Sequence, residues 1–386
     1  MIYLYLDTKI VGAAKQIVNF FTDQVLDKDK TVVLVKRYKH KSSRLIEQIF
    51  VQHQIIFRFV SYDELDQLEE GVILYPFNAQ SNCRAVANRR LKHVFITHGE
   101  SNKISSVKPI LRIYDHIITA GQLGLQRLVE SKILSSYDLS QQRAFTMGNT
   151  FIGQTQLKPR ADFASPEGDI CFYAPTWEGG IARENYSSLQ EPVKVATTLI
   201  QACKLYGLSK VVMQPHPNAG FRVKEILLDF LTQVYPLLKA QGIALEVYLK
   251  NVELGFWQKF KLKRLGVKVI SELKGYQARI AFCDLSAIET QLLNENIPHY
   301  LFFYQDNLAL LPQSLQQQDY LNHLIMLDQD VRELKAFSAQ ELAYFHTLQQ
   351  LYIDPSLHHC ASKDRIAFLL TKLYGGTDNE KIDHSN

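Results

Sequence analysis

Residues 93–103, HVFITHGESNK, set an imidazole, a glycine and, four residues after that glycine, a lysine behind an apolar run. His98 has a reference pKa near neutrality and so the chemistry of a general base. Gly99 lets the backbone approach a ligand closely, and Lys103 carries the charge that neutralises a phosphate. A turn-capping histidine beside a solvated lysine reads equally well from this stretch alone. In ICFYAPTWEGG, Pro175, Thr176 and Trp177 leave a second apolar run. A hydroxyl, an indole and two glycines suit an anion nest or a stacking wall for a base, although alone they read more simply as a tight turn. In VVMQPHPNAG, Pro215 and Pro217 fix the backbone on both sides of His216, a rigidity that a core histidine rarely needs. In AFCDLSAIETQLL, Asp284 ends an apolar run and Ser286 opens a helical pattern. Helix-start amides with a hydroxyl make a phosphate site, and the same amides serve an ordinary N-cap, Ser286 with Glu289 as a capping box.

Four such clusters at the ends of apolar runs require a scaffold that brings strand ends together. Short β-branched runs alternate with segments of helical period along most of the chain, the pattern of parallel sheets covered by helices. Strands are predicted at 2–6, 31–35, 55–60, 71–75, 93–97 and 116–119, with helices at 12–26, 43–52, 82–90 and 123–131. Residues 148–168, a Gln, Lys, Pro and Asp mixture, bury little on this reading and form an interdomain crossing. A second series follows, with strands at 169–174, 210–214, 244–249, 267–270, 279–283 and 299–304 and helices at 191–206, 223–240 and 286–294. The chain then turns helical, at 330–352 and 363–373. The expected organisation is an N-terminal domain over 1–150, a linker over 151–168, a second domain over 169–315, C-terminal helices over 316–374 and a loose tail over 375–386. Both domains are Rossmann-like and doubly wound, facing a central cleft where ligands sit at strand carboxyl ends.

The 386 residues are 46% hydrophobic and 21% charged, enough to bury two cores. A net charge of +4 is too mild for a nucleic-acid partner and suits anionic small molecules or an anionic membrane face. Cys83, Cys171, Cys203, Cys283 and Cys360 are scattered without CxxC spacing, which fits a reducing, cytoplasmic compartment and neither a zinc site nor a disulfide framework. The N-terminus lacks the pattern of a signal peptide, and no apolar run reaches ~18 residues, so any contact with the inner membrane is peripheral. No Asp-x-Asp cluster stands at a strand end, so neither a metal nor a tightly bound cofactor is required.

Taken jointly, the four turns resemble the CDP-glycerol glycerophosphotransferase family, enzymes of teichoic-acid and teichoic-acid-like capsule synthesis. His98, Gly99 and Lys103 match its HGxxxK turn, 173–177 its YAPTW segment, His216 and Pro217 its HP, and Asp284 with Ser286 its SDxSS segment. The stretch IYDHIITAG at 113–121 is similar as well, and coverage runs from about residue 92 to 306. Three positions depart: Glu178 stands where the family commonly has Arg, Ala287 where it has a second serine, and Gly148 with Asn149 where it has Gly-x-Pro-Arg. Arg160 and Arg183 are the nearest replacements for the missing positive charge.

The resemblance implies a GT-B-like α/β transferase that passes glycerol phosphate, or a similar polyol phosphate, from a CDP-linked donor to a hydroxyl of a saccharide or lipid-linked acceptor, releasing CMP. It implies acceptor binding by the first domain and nucleotide-donor binding by the second. It implies that His216 and the amides from Ser286 and Ala287 hold the pyrophosphate, with Pro175, Thr176, Trp177 and Pro217 beside it and Glu289 on the ribose. His98 would take the acceptor's proton and Lys103 neutralise charge on the phosphorus. A priming enzyme is implied more than a polymerase. Two other readings stand: a GT-B glycosyltransferase using CMP-sialic acid or CMP-Kdo, and a catalytically lapsed nucleotide-binding scaffold, which Glu178 and Ala287 keep open. Two basic runs, KRYKHKSSR at 36–44 and GFWQKFKLKRLG at 255–266, read either as solvated faces or as contacts for an anionic membrane.

Overall fold

The computed structural model describes residues 1–97, 99–249, 252 and 254–374. His98 and the tail 375–386 lie outside the described residues. The chain forms two compact units. The first comprises the described residues of 1–98, 108–153 and 354–386; the second comprises 99–107 and 154–353.

In the first unit, β1 (Ile2–Leu6), β2 (Thr31–Lys36), β3 (Phe57–Val60), β4 (Val72–Tyr75), β5 (Lys92–Phe95), β6 (His116–Thr119) and β7 (Ala144–Thr146) form one all-parallel sheet in the order β3-β2-β1-β4-β5-β6-β7. The second unit repeats the plan. Its strands β8 (Ile170–Ala174), β9 (Lys210–Met213), β10 (Ala244–Tyr248), β11 (Lys268–Ile270), β12 (Ala278–Asp284), β13 (His299–Phe303) and β14 (Leu324–Met326) are all parallel, in the order β11-β10-β9-β8-β12-β13-β14. Helices cover both faces, so central strands are apolar along their whole length; every residue of β4 (VILY) and of β8 (ICFYA) is buried. This is the expected α/β, GT-B-like class of two doubly wound Rossmann-like domains. Strand order reverses between β1 and β4 in the first sheet and between β8 and β12 in the second. Those are the places where a doubly wound sheet receives a ligand.

Several boundaries differ from expectation for local reasons. β7 and β14 are three-residue edge strands, too short to show a period in sequence. The helix expected over 330–352 spans only Ala339–Tyr352, because Ser338 and Glu341 form a reciprocal capping box that starts it there. The C-terminal helices also part company. Ala339–Tyr352 belongs to the second unit, whereas Ser362–Leu373 sits in the first, where Ile366, Leu369 and Leu373 join Leu4, Ile17, Val33 and Phe50 in the core. Gly148 meets the returning chain with φ +56, and a Cβ there would lie 2.6 Å from the Asp354 carbonyl oxygen.

Residues 151–168 are not the sparsely buried linker that their composition suggests. Phe151, Ile152, Leu157 and Phe163 are buried. Arg160, also buried, donates to the carbonyls of Ala278, Arg279, Phe163 and Ser165, so its guanidinium closes this segment against β12 and does not replace a phosphate-binding arginine. Thr155 donates its amide to Glu295 Oε1 at 2.7 Å and its hydroxyl to Oε2. Burial outweighs these two bonds and pushes the Glu295 carboxyl up to about 7.

A carboxyl raised in the folded state adds stability below its unfolded pKa and loses it as pH rises through the folded one. Relative to Glu295→Gln, the wild type therefore loses on the order of 3 kcal/mol between pH ~4.5 and pH ~7. Urea unfolding of both proteins across that range checks this; a difference independent of pH contradicts it.

Candidate functional site

The reversal point of the second sheet is built from two strand ends. β8 delivers Pro175, Thr176 and Trp177, and β12 delivers Asp284, followed by Ser286. The Asp284 carboxylate joins them: its Oδ2 accepts from the Thr176 amide at 2.6 Å and from the Ser188 amide at 3.1 Å. Complete burial pushes Asp284 up to about 7 against the pull of those bonds and of Lys103. Ser187 donates its hydroxyl to the Thr176 carbonyl at 2.8 Å, and the Ser188 and Tyr173 hydroxyls are 2.7 Å apart. Thr176 is therefore held at both its amide and its carbonyl.

The segment 99–107 places Lys103 in this unit. Gly99 has φ +135, and a Cβ on it would come 2.7 Å from the Ala287 Cβ, so the approach needs glycine on one side and a small residue on the other. That contact gives a steric reason for alanine at 287. Thr290 donates its hydroxyl to the Glu100 carbonyl at 3.1 Å, and Asn102 donates to the Tyr352 hydroxyl at 2.8 Å. Lys103 then donates from Nζ to Thr176 Oγ1 at 2.7 Å, with its ammonium 5.4 Å from the centre of the Tyr186 ring. The stem is partly exposed but the ammonium is enclosed. Desolvation lowers it to about 8, opposed by the negative charge of Asp284 and Glu184.

On the other side of Thr176 stands the histidine turn after β9. Its backbone docks on the β8 end, with the Gln214 amide donating to the Tyr173 carbonyl at 2.8 Å and the His216 amide to the Pro175 carbonyl at 3.1 Å. The Asn218 amide donates to His216 Nδ1 at 3.0 Å. With Nδ1 accepting, a neutral ring carries its proton on Nε2, which makes that edge a donor. The Trp177 ring stacks on His216 at 6.0 Å and 19°.

Glu178, read as a departure beside the donor, is completely buried and holds this turn from beneath. It accepts from the amides of Gly220 at 3.1 Å, Arg222 at 2.6 Å and Val223 at 2.9 Å, while Arg222 donates back to the Glu178 and Gly179 carbonyls. An arginine there would leave three amides without their acceptor.

Two further expectations are corrected. The helix after β12 is Ile288–Asn294 with Ala287 at its N-cap and no side-chain cap, so Ser286 and Glu289 form no capping box. Glu289 is 1% exposed, and its Oε1 accepts from the Tyr320 hydroxyl at 2.7 Å and the Tyr352 hydroxyl at 2.8 Å, which commits that oxygen to a buried tyrosine pair rather than to a ribose. Arg183 lies in the 3₁₀ turn Ala182–Glu184 and is exposed.

The structure thus gathers Lys103, Thr176, Trp177, His216, Asp284, Ser286 and Ala287, while Pro175 and Pro217 shape the turns. Sequence reasoning missed Tyr186, Ser187 and Ser188, the buried Glu289 pair and the anchoring role of Glu178. None has a motif signal, since each acts through tertiary contacts alone. Chemically, a cation, two hydroxyls and an imidazole donor border the carboxyl ends of β8, β9 and β12, which suits a phosphorylated ligand. Among the described residues no group of three His, Cys, Asp or Glu is placed to hold a metal ion, and no helix is long and apolar enough to cross a membrane.

Glu178→Ala strips the acceptor from three amides. The expected result is a loss on the order of 3 kcal/mol in unfolding free energy and hydrogen exchange accelerated at residues 220–223. Exchange there unchanged from wild type contradicts the anchoring role.

No family model matches the chain, and no curated protein matches it. It is similar to the solved structures of S. aureus MnaA with UDP (10% identity, 97% of this chain and 96% of that chain, TM-score 0.47) and of Anabaena Alr3699/HepE with UDP and glucose (12% identity, 96% and 99%, TM-score 0.45). It is also similar to the E. coli heptosyltransferase WaaC with ADP-2-deoxy-2-fluoro heptose (10% identity, 79% and 89%, TM-score 0.29).

Proposed function

We propose that the chain is a transferase that binds a CDP-linked polyol phosphate at the carboxyl ends of β8, β9 and β12 and passes the polyol phosphate to an acceptor hydroxyl. The observation that carries this reading is the Lys103 contact with Thr176. Through it, the HGxxxK, PTW and DxS motifs, far apart in sequence, meet where the strand order of the second sheet reverses.

In the proposed reaction the acceptor oxygen attacks the polyol-side phosphorus. A new P–O bond forms, the bond from that phosphorus to the bridging oxygen breaks, and CMP departs with the electron pair. His98 takes the hydroxyl proton. Lys103 and the Nε2–H of His216 offset charge on the phosphate oxygens, an electrostatic role whose loss costs roughly 10²–10³-fold in rate. Trp177, already stacked on His216, walls the same space.

Purified protein incubated in parallel with CDP-glycerol, CDP-ribitol and CMP-sugars, with saccharide or lipid-linked acceptors, should release CMP from a CDP-polyol. His216→Ala and Lys103→Ala should each lower turnover by roughly 10²-fold or more. Release from a CMP-sugar alone moves the assignment to glycosyl transfer, and release from none leaves a nucleotide-binding scaffold.

The Lys103 ammonium titrates at about 8 in the free protein. Its cation is present below that pH and lost above it, so kcat/KM should fall as pH rises through about 8. Lys103→Arg keeps its charge and should remove that alkaline limb. An identical limb in both proteins would show that another group titrates.

A further inference from the structure

The helix Phe256–Leu265 is fastened to the second unit along one side only. Leu262 is buried, Gln258 Nε2 donates to the Lys224 carbonyl at 2.9 Å, and Lys261 pairs with Glu225 at 3.2 Å. The opposite side carries large apolar groups in solvent: Phe256 is 76% exposed, Trp257 73% and Phe260 53%. With 3.6 residues per turn, Phe256 and Phe260 form one row, with Trp257 beside it. At 100° per residue Lys259 and Lys263 flank that row on one side, Arg264 falls between Phe260 and Trp257, and Lys261 lies beyond Trp257. The three rings form edge-to-face pairs, Phe256 with Trp257 at 5.6 Å and Trp257 with Phe260 at 6.4 Å. Lys259, Lys263 and Arg264 have no carboxylate partner among the described residues.

We propose that this helix docks the protein on an anionic lipid surface, with Phe256, Trp257 and Phe260 at the level of the headgroups and Lys259, Lys263 and Arg264 on lipid phosphates. Aromatic rings bordered by and interleaved with cations match the order of a membrane interface, where apolar depth lies beneath a layer of negative charge. Ten residues span ~15 Å, so the helix lies along the surface and does not cross it. A protein partner would need apolar area with acidic rims on both flanks, whereas an anionic bilayer offers both properties at any orientation about its normal. The docked helix also bears on the donor site, because Gln258 and Lys261 hold Lys224 and Glu225, the residues that follow the turn anchored by Glu178. Docking stands on exposure and charge and does not depend on the donor's identity.

The test is flotation of the full chain with vesicles of phosphatidylcholine, with and without phosphatidylglycerol. The expected result is recovery with the anionic vesicles, weakened by salt, and abolished by the Phe256→Ser, Trp257→Ser, Phe260→Ser triple variant. Each of Lys259→Gln, Lys263→Gln and Arg264→Gln should lower the partition coefficient about fivefold. In the wild type, brominated lipid should quench the part of the tryptophan emission that Trp257→Phe removes, a readout that needs no multiply substituted protein. Absence from the anionic fraction, or emission untouched by brominated lipid, overturns the proposal. Self-association in buffer that requires the three rings also overturns it, assigning the face to a second copy of the chain.

Discussion

The site depends on one buried cation. Lys103 reaches Thr176 with its ammonium enclosed, and a desolvated charge is costly unless its surroundings compensate. Asp284, together with Glu184, offsets part of that cost, and Asp284 also fixes the Thr176 amide that orders the β8 end. Each group stands displaced from its ordinary pKa by the same burial, the lysine down to about 8 and the aspartate up to about 7. Such opposed displacements concentrate where a fold handles charged ligands. An arriving phosphate would add negative charge beside the lysine and favour its cationic form.

Around that pair the second unit is stiffened by polar groups that never reach a ligand. Tyr320 and Tyr352 converge on Glu289, and Tyr352 in turn receives Asn102, the neighbour of Lys103. Glu178 does the corresponding work for the histidine turn by accepting from the amides of Gly220, Arg222 and Val223. Buried networks of this kind set positions firmly when every member is satisfied. Thr176 lies between the two networks, bonded to Lys103 on its side chain and flanked by Pro175, which receives the His216 amide.

Much of the fold was legible in the sequence. Parallel strands buried on both faces appear as short unbroken apolar runs, and those at 2–6, 72–75 and 170–174 fall where the pattern predicts. The four polar turns were legible because each directly follows such a run. The three-residue edge strands β7 and β14 were not, being too brief to carry a period, although the equally short β11 falls within the strand expected at 267–270. The burial of 151–163 was hidden by a polar composition whose Arg160 and Thr155 find partners only in the folded unit. Glu178 was misread as a lost ligand because its partners lie more than forty residues away, at Gly220 to Val223. Residues 99–107 follow β5 in sequence yet belong to the second unit, a placement decided by the Gly99 and Ala287 approach and by Asn102 rather than by periodicity.

The most direct measurement is the titration of Lys103 itself, followed by NMR of its ε-carbon, with Lys103→Arg to assign the signal, in the free protein and with CDP bound. The account predicts a midpoint near 8 in the free protein and a rise of about one unit or more when the diphosphate is present. A midpoint near the ordinary lysine value of about 10.4 in both states would contradict it, showing that the ammonium sits in water and that CDP binds elsewhere.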